Sequence, residues 1–144
     1  MYNAIDIAKY VIWYCNNYGF QISNLKLQKI LYFIQAEFLV EIGIECFNNQ
    51  IEAWDFGPVI PDVYHKYKIY GSADIPKSEG TQCTGIIRNS DLRRIQDMIN
   101  QCAPYSASYL VEKTHNQAPW KNAYIKYCNN PITSNAIKTY FQRG

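Results

Sequence analysis

The sequence predicts a mainly α fold: one compact domain over residues 1–144, built as a bundle of six or seven helices. A small β-hairpin or isolated bridges are expected around residues 44–56, with a second short strand allowed at 83–87. Three observations carry this. Apolar residues recur at helical spacing in most segments, as in Leu27, Ile30, Leu31, Ile34, Phe38 and Ile42. Ser, Pro and Gly stand where helices start and stop. At 144 residues, with 13 Tyr, 6 Phe and 3 Trp, the chain can bury about two-thirds of its unfolded surface without metal or disulfide staples.

The first helix is expected from Asn3 or Ala4 to Tyr18, since Ile5, Ala8, Ile12 and Cys15 fall on one side and Gly19 ends it. A three-residue connection then favours an antiparallel pair. Ser23 is a good N-cap for the second helix, because its hydroxyl can accept a bond from a first-turn N–H, and Gly43 offers a left-handed stop. On the helical wheel the polar surface of this segment narrows to a stripe of Lys26, Lys29, Glu37 and Glu41, so the helix should be central. Gln28 and Gln35 fall inside the apolar arc. Buried amides must be hydrogen-bonded, and theirs are expected to bond the Glu52–Pro58 turn or the Thr114–Trp120 segment.

Residues 44–56 are poor in helix signals and contain an Asn48-Asn49 turn before Ile51-Glu52-Ala53-Trp54. Pro58 or Pro61 should start the third helix, where a missing N–H costs nothing. It carries Val63, Tyr64, Tyr67 and Tyr70 and stops at Gly71. Residues 72–89, with Pro76, Gly80 and Gly85, form the longest loop and are expected to be the mobile one. Ser90 or Asp91 should cap the fourth helix, which turns Leu92, Ile95, Ile99 and Cys102 inward. Ser106 should cap a fifth through Thr114, Pro119 permits a short turn over 120–126, and Thr133 or Ser134 caps a last helix bearing Ile137, Tyr140 and Phe141.

Composition excludes several classes. The longest apolar runs are far short of a bilayer span, and the N-terminus has neither a basic region nor a cleavage site, so a cytoplasmic, unprocessed protein with no membrane partner is expected. Five scattered cysteines without C-x-x-C spacing, and His65 and His115 fifty residues apart, imply reduced thiols and no metal. No cofactor loop or carboxylate cluster is present, and a net charge of +2 gives no nucleic-acid footprint. The basic residues concentrate after residue 87, but the best recognition-helix candidate, Asp91 to Cys102, offers only Arg93 and Arg94, so a DNA-binding regulator is the weakest reading. Pairing His115 with Cys102 or Cys128 for nucleophilic catalysis lacks an orienting group and an oxyanion loop, and no enzyme is expected.

Three blocks carry a resemblance. They are Ser23 to Ala36, then Glu52-Ala53-Trp54 with Gly57-Pro58-Val59 and Val63-Tyr64, then Thr114-His115 with Pro119-Trp120-Lys121. In order and spacing they resemble the Panacea domain, the SocA-like, phage-associated family, over nearly the whole chain. The resemblance implies a mostly helical antitoxin domain that neutralises a cognate protein toxin by direct binding. The alternative it leaves is a protease adaptor, delivering a protein to a cytosolic AAA+ protease, or another interaction module without a toxin. Nothing in the sequence specifies an oligomeric state.

Gln28, Gln35, Trp54, Gly57, Pro58, His115, Pro119 and Trp120 are expected to be structural. His115 should pin its turn through a backbone bond, and Trp120 should fill the core beside Trp54. Tyr64, Tyr67, Tyr70 and Tyr105 are candidates for an exposed aromatic surface that binds the partner, since Tyr is enriched at interface hot spots.

Overall fold

The computed structural model describes residues 1–142. Among them are seven α-helices and a small three-stranded antiparallel sheet. Helix α1 (Ala4–Asn17) is capped by Asn3, which accepts from the Ile5 N–H, and ends on Gly19 in the left-handed region. Helix α2 (Asn24–Glu41) starts at Ser23, whose hydroxyl accepts from the Lys26 N–H. Strands β1 (Ile51–Trp54) and β2 (Gly57–Val59) form a hairpin, and α3 (Pro61–Tyr67) continues into one 3-10 turn, Lys68–Tyr70. There follow a 3-10 turn at Lys77–Glu79, α4 (Asn89–Cys102), α5 (Ala107–His115), α6 (Ala118–Ala123), β3 (Pro131–Ile132) and α7 (Ser134–Gln142). No helix of the described residues is long and apolar enough to cross a membrane.

Helix α2 is the hub. It packs against α1, α3, α4, α5, α7 and β2, and fourteen of its eighteen residues are buried. This burial includes Lys26 and Lys29, two members of the expected polar stripe; only Glu37 and Glu41 reach water. Both lysines point at carbonyls that need a donor. Lys26 Nζ donates to Ala103 O, 2.5 Å away at the C-terminal end of α4, where helix carbonyls have no partner in their own helix. Lys29 Nζ donates to Pro58 O at 2.9 Å.

The sheet has the order β2-β1-β3. Trp54 faces Gly57 across a two-residue tip, Asp55-Phe56, and Ile51 faces Ile132. Pro58 therefore lies in edge strand β2, where its lack of an N–H breaks no ladder, and Pro61 is the proline that opens α3. The hairpin runs to residue 59, past the expected 56.

Other expectations are corrected. Residues 83–87 are not a strand: Cys83 and Gly85 both have positive φ, and Ile86 N–H closes a turn onto Cys83 O. Helix α4 begins at Asn89 with Arg88 as N-cap residue and no side-chain cap, ahead of Ser90 and Asp91. The 72–89 segment is tied along α1 instead of standing free. Ile75 bonds the backbone of Ile22, Thr81 bonds that of Lys9, and a side chain at Gly80 would meet the Trp13 backbone at 2.6 Å. Ile75, Cys83 and Ile87 enter the core from it.

Candidate binding surface

The hairpin tip is held from two sides. From below, Gly57 packs so closely on α2 and α5 that an added Cβ would lie 2.6 Å from Lys29 Cε and 2.8 Å from Thr114 Oγ1, and its φ of +103° also favours glycine. Gln28 Oε1 accepts from the Ile60 N–H at 2.9 Å while its amide donates to Asn24. From the side, the α5–α6 corner stacks His115, Trp120 and Tyr124 into a column, with ring centroids 4.1 and 4.5 Å apart. The column bonds the tip three times. His115 Nε2 donates to Asp55 O at 2.9 Å, Trp120 Nε1 to Trp54 O at 2.8 Å, and the Tyr124 hydroxyl to the Asp55 carboxylate. Tyr32 reaches the same corner from α2, its hydroxyl donating to Gln117 at 2.9 Å. Pro119 is buried in the first turn of α6.

Thus Gln28, Trp54, Gly57, Pro58, His115, Pro119 and Trp120 come together around one hairpin. Gln35 does not. Two turns further along α2, its side chain bonds Cys46 N–H, Phe47 N–H and Phe47 O, a loop that neither family-like block contains. Trp120 is half-buried at the rim, with its indole on the Trp54 carbonyl, and does not fill the core.

Outside the hairpin this construction leaves a recess of about 330 Å³. The tip contributes Trp54, Asp55 and Phe56, and α3 contributes Tyr64, packed edge-on to Trp54 with centroids 4.9 Å apart. Tyr124, Ile125 and Tyr127 form the opposite wall. Alternation along β1 turns Ile51 and Ala53 into the core and puts Glu52 and Trp54 on the other face, where Glu52 accepts from the Trp54 indole at 2.9 Å. Phe56, Ile125 and Tyr127 are 65%, 58% and 91% exposed, so three of the most exposed large apolar residues share one recess. Tyr127 has φ +70°, an uncommon conformation for a residue with a side chain.

Of the expected aromatic surface, only Tyr64 lies here. Tyr67 is fully buried, because on α3 it follows Val63 by one turn and shares its inward face. Tyr70 bonds Glu79. Tyr105 stacks on Tyr109 beside a separate recess of about 260 Å³ floored by Phe33, Met98 and Leu110. Sequence reading missed Phe56, Tyr124, Ile125 and Tyr127. The available signal was an aromatic at a two-residue tip facing a Tyr-Ile-x-Tyr run.

Among the described residues no three His, Cys, Asp or Glu side chains are grouped to hold a metal ion. Four cysteines are buried and Cys128 is exposed. Burial pushes the Cys15 and Cys102 thiols up to about 12, which keeps them protonated and unreactive.

The family model for the antitoxin SocA-like Panacea domain matches residues 27–121. Antitoxin SocA of Caulobacter vibrioides (strain NA1000 / CB15N) is 38% identical over 109 residues, covering 69% of this chain. The chain spans 58% of that relative's length. No solved structure matches. The matched residues contain the hairpin and the His115–Trp120 corner; Tyr124, Ile125 and Tyr127 lie beyond them.

Proposed function

Because the chain belongs to the SocA-like Panacea domain family, whose description is that of an antitoxin, we propose that it neutralises a cognate protein toxin by binding it directly through the Trp54–Tyr127 recess. The observation that carries the choice of surface is the gathering of Phe56, Ile125 and Tyr127, all exposed, around one concavity. Exposed apolar side chains scattered singly need no explanation, whereas a contiguous group marks an interaction site. The recess is also rigidly founded, since its tip is bonded to α2 and to the α5–α6 corner, and a preorganised surface loses less entropy on binding. Neutralisation is then by occupancy of the toxin, with no chemistry performed on it.

Co-expression tests this. The product of the neighbouring gene should arrest growth alone and be tolerated beside this protein, with its cellular level unchanged. Phe56→Ser combined with Tyr127→Ser, both at exposed positions, should abolish rescue while the far-UV spectrum and melting temperature stay native. A harmless neighbouring gene product, or full rescue by the double variant, contradicts the proposal. Loss of the toxin in a chase would instead support delivery to a protease.

A further inference from the structure

Taking the recess as the partner contact, we propose that it receives an arginine side chain of the partner protein, sandwiched against aromatic faces and paired with Asp55. Five aromatic residues line the cavity with that carboxylate: Trp54, Phe56, Tyr64, Tyr124 and Tyr127. Aromatic faces are negative and attract cations, tryptophan most strongly and guanidinium more often than ammonium. One Asp55 oxygen is held by the Tyr124 hydroxyl. The other, on an exposed side chain, faces solvent without a protein partner among the described residues, where no lysine or arginine lies within ion-pair reach of Asp55 either.

An aliphatic side chain would fill the volume but strip water from Asp55 without replacing its hydrogen bonds, which is unfavourable. A planar guanidinium answers both needs, stacking on a ring while donating to a carboxylate oxygen; a lysine ammonium is more strongly hydrated and has no face to stack. Lys126 limits the number of further cations, since its Nζ already lies 5.3 Å over the Tyr127 ring. A polybasic run would be repelled by it, and a phosphate would face Asp55.

The test is an NMR titration of the ¹⁵N-labelled full chain with acetyl-Gly-Arg-Gly-amide and with its citrulline counterpart, which has nearly the same shape without the charge. The arginine peptide should shift the Trp54 indole and the amides of residues 55–57 and 124–129 saturably, about fivefold more tightly than the citrulline peptide. Asp55→Asn should erase that preference. Tyr64→Leu should reduce it although apolar area remains, with the rest of the spectrum native. Equal responses to both peptides, shifts scattered elsewhere, or no saturable shift would overturn the proposal. So would an Asp55→Asn protein that loses the peptide preference yet rescues cells fully. Rescue by the Phe56/Tyr127 double variant alongside an intact arginine preference would instead sink the recess as the toxin contact and leave the arginine site standing.

Discussion

Lys29 is the residue whose chemistry departs furthest from its sequence appearance. Its ammonium has a single hydrogen-bond partner among the described residues, Pro58 O, and burial lowers its pKa from 10.5 to about 7. The folded protein therefore releases this proton more readily than the unfolded chain. Above pH 10.5 neither state holds it. Between 10.5 and 7 the unfolded chain binds it first, so stability falls as pH falls, and below 7 the loss is complete. Lys29→Met should flatten this dependence. Urea unfolding at pH 6 and pH 9 should show the variant gaining on the wild type by on the order of 1–3 kcal/mol toward the acid end, after a pH-independent loss of about 1 kcal/mol for the orphaned Pro58 carbonyl. A constant difference between the two would contradict a lone buried ammonium. Sequence alone placed this lysine on a polar stripe because a charge normally marks water. Its burial depends on a carbonyl 29 residues away, which no local pattern encodes.

At the scale of elements, the helices and the hairpin's first strand were legible, whereas the third strand of the sheet was not. Ser23, Asn3 and Ser106 cap the helices they precede by local bonds that residue type and spacing announce. Strand β3 has only two residues, one of them proline, and exists because Ala53 N–H finds Asn130 O and Ile51 faces Ile132. Such pairing is non-local and leaves no alternation to read. Tyr67 was misplaced for a related reason, since a seven-residue helix is too short to fix its inward face by periodicity. The hairpin itself turns on Gly57, and Gly57→Ala joins backbone strain to collisions with Lys29 and Thr114. Its expected cost is about 2–4 kcal/mol, seen as a lowered denaturation midpoint, with the Trp54 and Trp120 fluorescence environment altered in whatever remains folded. An unchanged midpoint would mean the hairpin is not seated on α2 as described. The candidate recess was partly legible: Tyr64 was singled out as a contact residue and Trp54, His115 and Trp120 as structural ones, but the far wall is assembled by tertiary contacts between the tip and the α6 end.

For the whole molecule, the cysteines give a readout of intactness. Cys15, Cys46, Cys83 and Cys102 are buried on α1, the 46–47 loop, the 83–87 turn and α4, and Cys128 alone is exposed. Native alkylation followed by mass spectrometry should add one label, at Cys128, and denaturant should be needed for the other four; rapid native labelling of a second thiol would reveal a segment that opens. The same distribution bears on how the chain comes to be made. Helix α2 emerges early, yet one flank of it is closed by α7, where Ile137 is fully buried and Phe141 packs edge-on to Tyr32 and Phe33 at 5.9 and 6.1 Å. A nascent chain halted before residue 134 has a hydrophobic rod without its last cover, and domains that wait on such distant contacts fold late. Completion of this core waits on α7, so a chain cut before residue 134 should be digested by protease faster than one that includes it.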